Sequence, residues 1–185
     1  RGGNGVNLIM IVEDTQPSRN WGEPGEPEVL RASLRRWAPA VRAVTDLDGL
    51  DWRTWAMFDR APERRWVRGR SIIIGDAAHP MVPFLAQGGA MAIEDGYALA
   101  TAIAGNRHDI PGAFRAFAMA RMSRTARVQS AARRNGDIFH ESGPVAFARD
   151  VVMRGLSGDL LLRRFDWLYG HCPAASLPKT IPPQP

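Results

Sequence analysis

Cysteine, lysine and long apolar runs are what this sequence has least of. Its 185 residues contain one cysteine, Cys172, so no internal disulfide can form, and a reducing cytoplasm is the expected compartment. No apolar run approaches the roughly 18–20 residues that cross a bilayer, so no membrane partner is expected. The opening RGGNGVN lacks the apolar centre of a secretory leader. Lys179 is the single lysine among 24 basic residues, so the formal charge of +5 is carried by arginine. Those arginines are scattered along the chain, which favours solvated surface over a nucleic-acid stripe; no nucleic-acid partner is expected.

Three catalytic or binding signatures are also missing. His108, His140 and His171 stand far apart, with no cysteine cluster or His-x-x-x-His pair, so no metal site is expected. No Gly-x-Ser-x-Gly elbow supports serine hydrolase chemistry. No Gly-x-Gly-x-x-Gly fingerprint follows a strand; Gly2, Gly3 and Gly5 have the wrong spacing and precede a strand pattern. The chain begins with Arg1, and a strand pattern starts almost at once, which suggests the carboxyl-terminal part of a longer protein whose amino-terminal segment lies elsewhere.

What is present reads as a mixed helix-and-sheet chain. GVNLIMIVED has the β-branched and apolar content of a strand, and TQPSRNWGEPGEPEV that of a loop. PEVLRASLRRWAPAV places Val29, Leu30, Leu34 and Trp37 near helical spacing, with Pro39 as its stop. DWRTWAMFDRAP alternates between two faces, and ERRWVRGR reads as a strand leading to a tight turn at Arg68-Gly69. SIIIG is continuously apolar, the pattern of a strand covered on both faces. Helices are expected from about 89 to 104 and from about 111 to 134, the second capped by Asp109 with Pro111 in its first turn. Met91, Ile93, Ala98, Leu99 and Ile103 are the expected apolar positions of the first, and Phe114, Phe117, Met122, Ala126 and Val128 of the second. Two shorter helices follow, then a proline-rich tail over 171–185.

The chemistry concentrates in RSIIIGDAAHPMVPFLAQGGAMAIEDGYALA, residues 70–100. Asp76 follows an apolar strand pattern, at the carboxyl end where open α/β sheets bind ligands. Its carboxylate suits sugar-type hydroxyls, although a turn aspartate would look the same. Pro80 and Pro83 stiffen the loop by fixing φ. Gln87-Gly88-Gly89 then clears side chains from the start of a helix, whose free N–H groups and partial positive charge favour a group that becomes anionic. His79 reads as a packed, hydrogen-bonded histidine. Glu94 and Asp95 read as capping or salt-bridging acids, because adjacent helical residues face different ways. Phe84 is a candidate to line a substrate pocket. Trp52, Trp55, Met57 and Phe58 are weaker ones, because strand aromatics more often belong to a core.

The segment GDAAHPMVPFLAQGGAMAIEDGYALA resembles the second flavin motif of the group A flavoprotein monooxygenases: a Gly-Asp pair, six residues, a proline, and a glycine-rich turn into a helix. WAMFDRAPERRWVRGR, ARMSRTARVQ and FDWLYGH resemble the salicylate hydroxylase-like branch. That resemblance implies an FAD-dependent aromatic hydroxylase using NADH or NADPH and O2. Gly75 and Asp76 would meet the ribityl chain. Pro83 would stand beside the flavin ring, and Gln87, Gly88, Gly89 and Ala90 would hold its pyrimidine edge. Pro83, Phe84 and Trp55 would face a small aromatic substrate; no residue is singled out as a catalytic base. The implied organisation is part of a substrate-binding β-sheet domain over 1–68, part of a Rossmann-like FAD-binding domain with helices over 69–170, and the tail. A homodimer is left open. A non-catalytic remnant or partner subunit, unable to hold FAD alone, is the second reading. Gly89 and Gly96 stand where such proteins often carry alanine, and Cys172 where they often carry aspartate; nothing in the sequence explains the last change.

Overall fold

The computed structural model describes residues 8–12, 22–46 and 50–173. The chain divides into two compact units, 1–57 and 58–185. The division lies upstream of the 68/69 boundary suggested by the sequence, because the segment after Met57 is tied to the second unit. Arg133 bonds Asp59 and the Arg60 carbonyl, and the Trp66 ring packs 5.9 Å from Phe117.

In the first unit, residues 8–12 form no strand, contrary to the sequence reading; the rest of that pattern, 5–7 and 13–14, lies outside the described residues. A strand needs a ladder partner, and among the described residues this segment has none. Among the described residues of this unit, sheet is limited to β1 (Glu23–Pro24) paired antiparallel with β2 (Arg53–Thr54). The alternating stretch around β2 is therefore mostly exposed, Trp55, Met57 and Phe58 included. The expected single helix is two: α1 (Pro27–Leu34) and α2 (Pro39–Val44). Pro39 opens the second helix, where a missing N–H costs nothing. Leu34 is the buried anchor, while Val29 and Trp37 stay exposed.

The second unit opens with the hairpin β3 (Val67–Arg68) and β4 (Ser71–Ile72), turning at Gly69 with φ +57°. This corrects the picture of SIIIG as a strand covered on both faces. Its only ladder is antiparallel, and Ile74 is exposed. Two 3-10 turns follow, Gly75–Ala77 and Pro83–Leu85. Then come α3 (Gly88–Gly105) and α4 (Ile110–His140), which runs past its expected end at Arg134. The Asp109 side chain caps α4 by accepting from the Gly112 N–H at 2.9 Å. Helices α5 (Gly143–Gly155), α6 (Gly158–Arg163) and α7 (Asp166–Tyr169) complete the unit.

Helices α3 and α4 sandwich two apolar clusters. One joins Trp66, Ala78, Ala98, Ala102, Ala113 and Phe117. The other joins Leu85, Met91, Val128, Ala132 and Leu168. Small residues on the facing stripes let the helices approach closely. Ile93, expected to be apolar and inward, is exposed, and Leu99, Ile103, Phe114, Met122 and Ala126 are only half-buried. Two charged residues take up the apolar stripes instead, Asp95 among Met91, Ala98 and Ala102, and Arg121 between Phe117 and Val128.

Candidate functional site

Everything in the motif depends on a sharp turn at the end of β4. Gly75 is buried with φ +56°, a conformation that costs an L side chain roughly 1–2 kcal/mol. The turn is held from inside the protein. Its N–H donates to Asp95 Oδ2 at 3.0 Å. The same oxygen receives His79 Nε2 at 2.7 Å, and Oδ1 receives Arg121 Nε at 2.8 Å. Asp95 and His79 are fully buried and Arg121 nearly so. Burial by itself would raise the Asp95 pKa. The bonds from His79, Gly75 and Arg121 outweigh it and hold the carboxyl below its ordinary range. Because an ionised carboxylate only accepts, Nε2 of His79 carries the proton.

Arg121 also reaches Glu94 at 2.6 Å, and Arg124 clasps Glu94 with two bonds of 2.7 and 2.8 Å. Burial pushes Glu94 upward, but its bonds from Arg124 and Arg121 bring it below its ordinary value. Arg124 further donates to the Trp167 and Leu168 carbonyls, which ties α7 into the network. The salt-bridging role read for Glu94 and Asp95, and the packed histidine read for His79, are therefore what the structure contains. The arginines of α4 are not all surface: Arg121 is one of the most buried residues of the unit.

Past the turn, α4 keeps hold of the loop. Gln129, buried, donates to the Pro80 carbonyl at 2.8 Å, and Asn135 donates to the Phe84 carbonyl at 3.3 Å. Arg60 donates to the Ala77 carbonyl from the other side. Pro83 opens the second 3-10 turn, which ends at Ala86 in the left-handed region with φ 52°. The chain then enters α3 through Gln87, which makes no side-chain cap. The first-turn N–H groups of Gly88, Gly89 and Ala90 therefore have no partner within the helix.

These constraints bring most of the predicted residues together. Asp76 is exposed, and a Cβ built on Gly88 would stand 3.8 Å from its Oδ1. A Cβ on Gly89 would meet nothing within 4 Å, so open space adjoins the helix end. A carboxylate and a helix N-terminus thus flank a cradle that Met81 borders beside Gly88 and that is open beside Gly89. This suits a ligand that carries hydroxyls beside a flat, anion-forming edge, and the ribityl chain and pyrimidine edge of a flavin have that form. Pro83 is exposed at the loop's tip, while Phe84 is half-buried against α4. Trp55 belongs to the first unit and is exposed there. Sequence reasoning missed Gln129, Asn135, and the pairing of Asp95 with Arg121. The last did leave a signal: two opposite charges at helical spacing within otherwise apolar stripes.

Residues 2–108 match the family described as FAD binding domain. Over 171 residues the chain is 35% identical to a 3-hydroxybenzoate 6-hydroxylase of Polaromonas naphthalenivorans, covering 92% of this chain and 42% of that protein. It is 31% identical to a salicylate hydroxylase of Pseudomonas putida, covering 92% of this chain and 41% of that one. The chain thus spans about two fifths of the length of these curated relatives. Among solved structures, a salicylate hydroxylase substrate complex superposes with a TM-score of 0.66 at 26% identity, over 92% of this chain and 41% of the other. Klebsiella pneumoniae HpxO complexed with FAD and uric acid superposes with a TM-score of 0.64 at 30% identity, over 75% of this chain and 37% of the other. The chain belongs to the FAD binding domain family and forms a part of the group A FAD-dependent aromatic hydroxylase fold.

Proposed function

We propose that this chain supplies the flavin-ring end of an FAD-dependent monooxygenase that hydroxylates a small aromatic substrate with O2 and NADH or NADPH. The observation that carries this reading is the cradle: Asp76 beside an α3 N-terminus without a side-chain cap, with open space at Gly89. When bound, the flavin supplies the redox chemistry, and the protein supplies position and shielding. Asp76 holds the ribityl chain, its carboxylate accepting from a hydroxyl, and the turn at Gly75 presents it. The backbone of Gln87, Gly88, Gly89 and Ala90 holds the pyrimidine edge, where N–H donors and the helix dipole favour negative charge. Pro83 stands at the ring's substrate side. The buried Asp95–Arg121 pair keeps the Gly75 turn in register with α3, so the two halves of the cradle stay matched.

The second unit is read as the flavin-holding part, and the first as part of a substrate-binding sheet that carries Trp55. The relatives' names point to hydroxylated or aminated benzoates and to urate as the range of substrates. The adenosine end of the cofactor falls to a fingerprint that this sequence does not contain. The test is FAD affinity of the complete polypeptide with Asp76→Ala. Loss of a charge-assisted hydrogen bond predicts weakening of roughly ten- to hundred-fold. Unchanged affinity removes Asp76 from the site. A complete polypeptide that takes up no FAD supports the remnant reading instead.

A further inference from the structure

Behind Pro83, the long helix omits a side chain where its own stability would favour one. Gly136 lies inside α4, where glycine is the poorest residue after proline, and its φ is not in the left-handed region. Conformation does not call for glycine there, but space does. A Cβ on Gly136 would stand 2.6 Å from Cε2 and 2.7 Å from Cδ2 of Phe84. The half-buried ring has aromatic neighbours on two sides. It lies edge-on to Phe139 at 6.1 Å between centroids, and to His140 at 5.6 Å. His140 is fixed in turn, donating from Nδ1 to the Gly136 carbonyl at 2.8 Å. The Phe84 carbonyl accepts from Asn135, and the next residue, Leu85, is buried. Phe84 is therefore gripped by side chain and backbone, and Pro83 is bonded directly to it.

We propose that Gly136 is a positioning residue for the flavin loop: the absent side chain lets Phe84 seat on the end of α4, and that seat fixes where Pro83 stands. This rests on the flavin reading above. It makes Phe84 the anchor of the loop, acting on the site through Pro83, and takes it out of the substrate-pocket role.

The test is FAD affinity, by flavin fluorescence, of the complete polypeptide as wild type, Gly136→Ala and Gly136→Ala with Phe84→Leu, with thermal unfolding measured in parallel. The methyl group should weaken FAD binding about ten-fold, since small misplacements at a site are costly. The double variant, in which leucine lacks the clashing ring edge, should recover most of it. A general loss of fold would not be rescued in that pairwise way. If the alanine variant does not fold, Phe84→Ala removes the seat without a clash and should weaken FAD to a similar degree; unchanged affinity there overturns the proposal. Wild type and Gly136→Ala binding FAD equally also overturns it and leaves the flavin reading intact. A wild type that binds no FAD removes both.

Discussion

Asp95 is the residue on which the second unit turns. Three donors converge on a carboxylate with no exposure, and one of them is the N–H of Gly75 in its left-handed turn. Removing one side of a buried, hydrogen-bonded charge pair costs more than the pair itself contributes, because the partner stays buried and unmatched. Asp95→Asn should therefore cost about 3 kcal/mol in urea unfolding at neutral pH. The native carboxyl sits below the ordinary 3.8, so its contribution is complete above that value and is lost as pH falls through the native value. The gap between wild type and Asp95→Asn should accordingly narrow in strong acid. A gap that stays constant as pH falls would mean that Asp95 is not ionised in the fold.

At the scale of elements, α4 is the back wall of the loop. Arg121 acts on Gly75 through Asp95, Gln129 holds Pro80, and Asn135 and Gly136 hold Phe84, in the same order along helix and loop. Gly96, in the middle of α3, has no such reason: it is exposed, and a Cβ there would meet nothing within 4 Å. Gly96→Ala should raise unfolding stability by about 1 kcal/mol, read from the urea midpoint, with FAD affinity unchanged. The contrast between these glycines marks what a sequence can convey. Helices α3 and α4 and the Asp109 cap were legible because apolar spacing and capping are local. The motif loop was legible because proline and glycine restrict backbone wherever they occur. The roles of Arg121 and Gln129 were not, since a polar residue on a helix looks the same whether it faces water or a carbonyl. The strand pattern at 8–12, and the extent and two-sided cover expected of the strand at 71–75, misled for a related reason. Strand propensity states that a segment can pair, and the ladder depends on a partner distant in sequence.

At the scale of the molecule, the two units carry different amounts of structure. Among its described residues, the first buries Leu34 and little else that is large, and holds two short helices and a two-residue ribbon. The second contains both apolar clusters, the buried charge network and the loop over 75–90. Among the described residues, no helix is long and apolar enough to cross a membrane, and no group of three or more His, Cys, Asp or Glu is placed to hold a metal. In the proposed function, the second unit meets the flavin ring through two short backbone segments, Gly75–Asp76 and Gln87–Ala90. The most direct measurement is amide hydrogen exchange of the complete polypeptide with and without FAD. Slowed exchange in both segments on FAD binding is the predicted result. FAD binding that leaves both segments unprotected would contradict the claim.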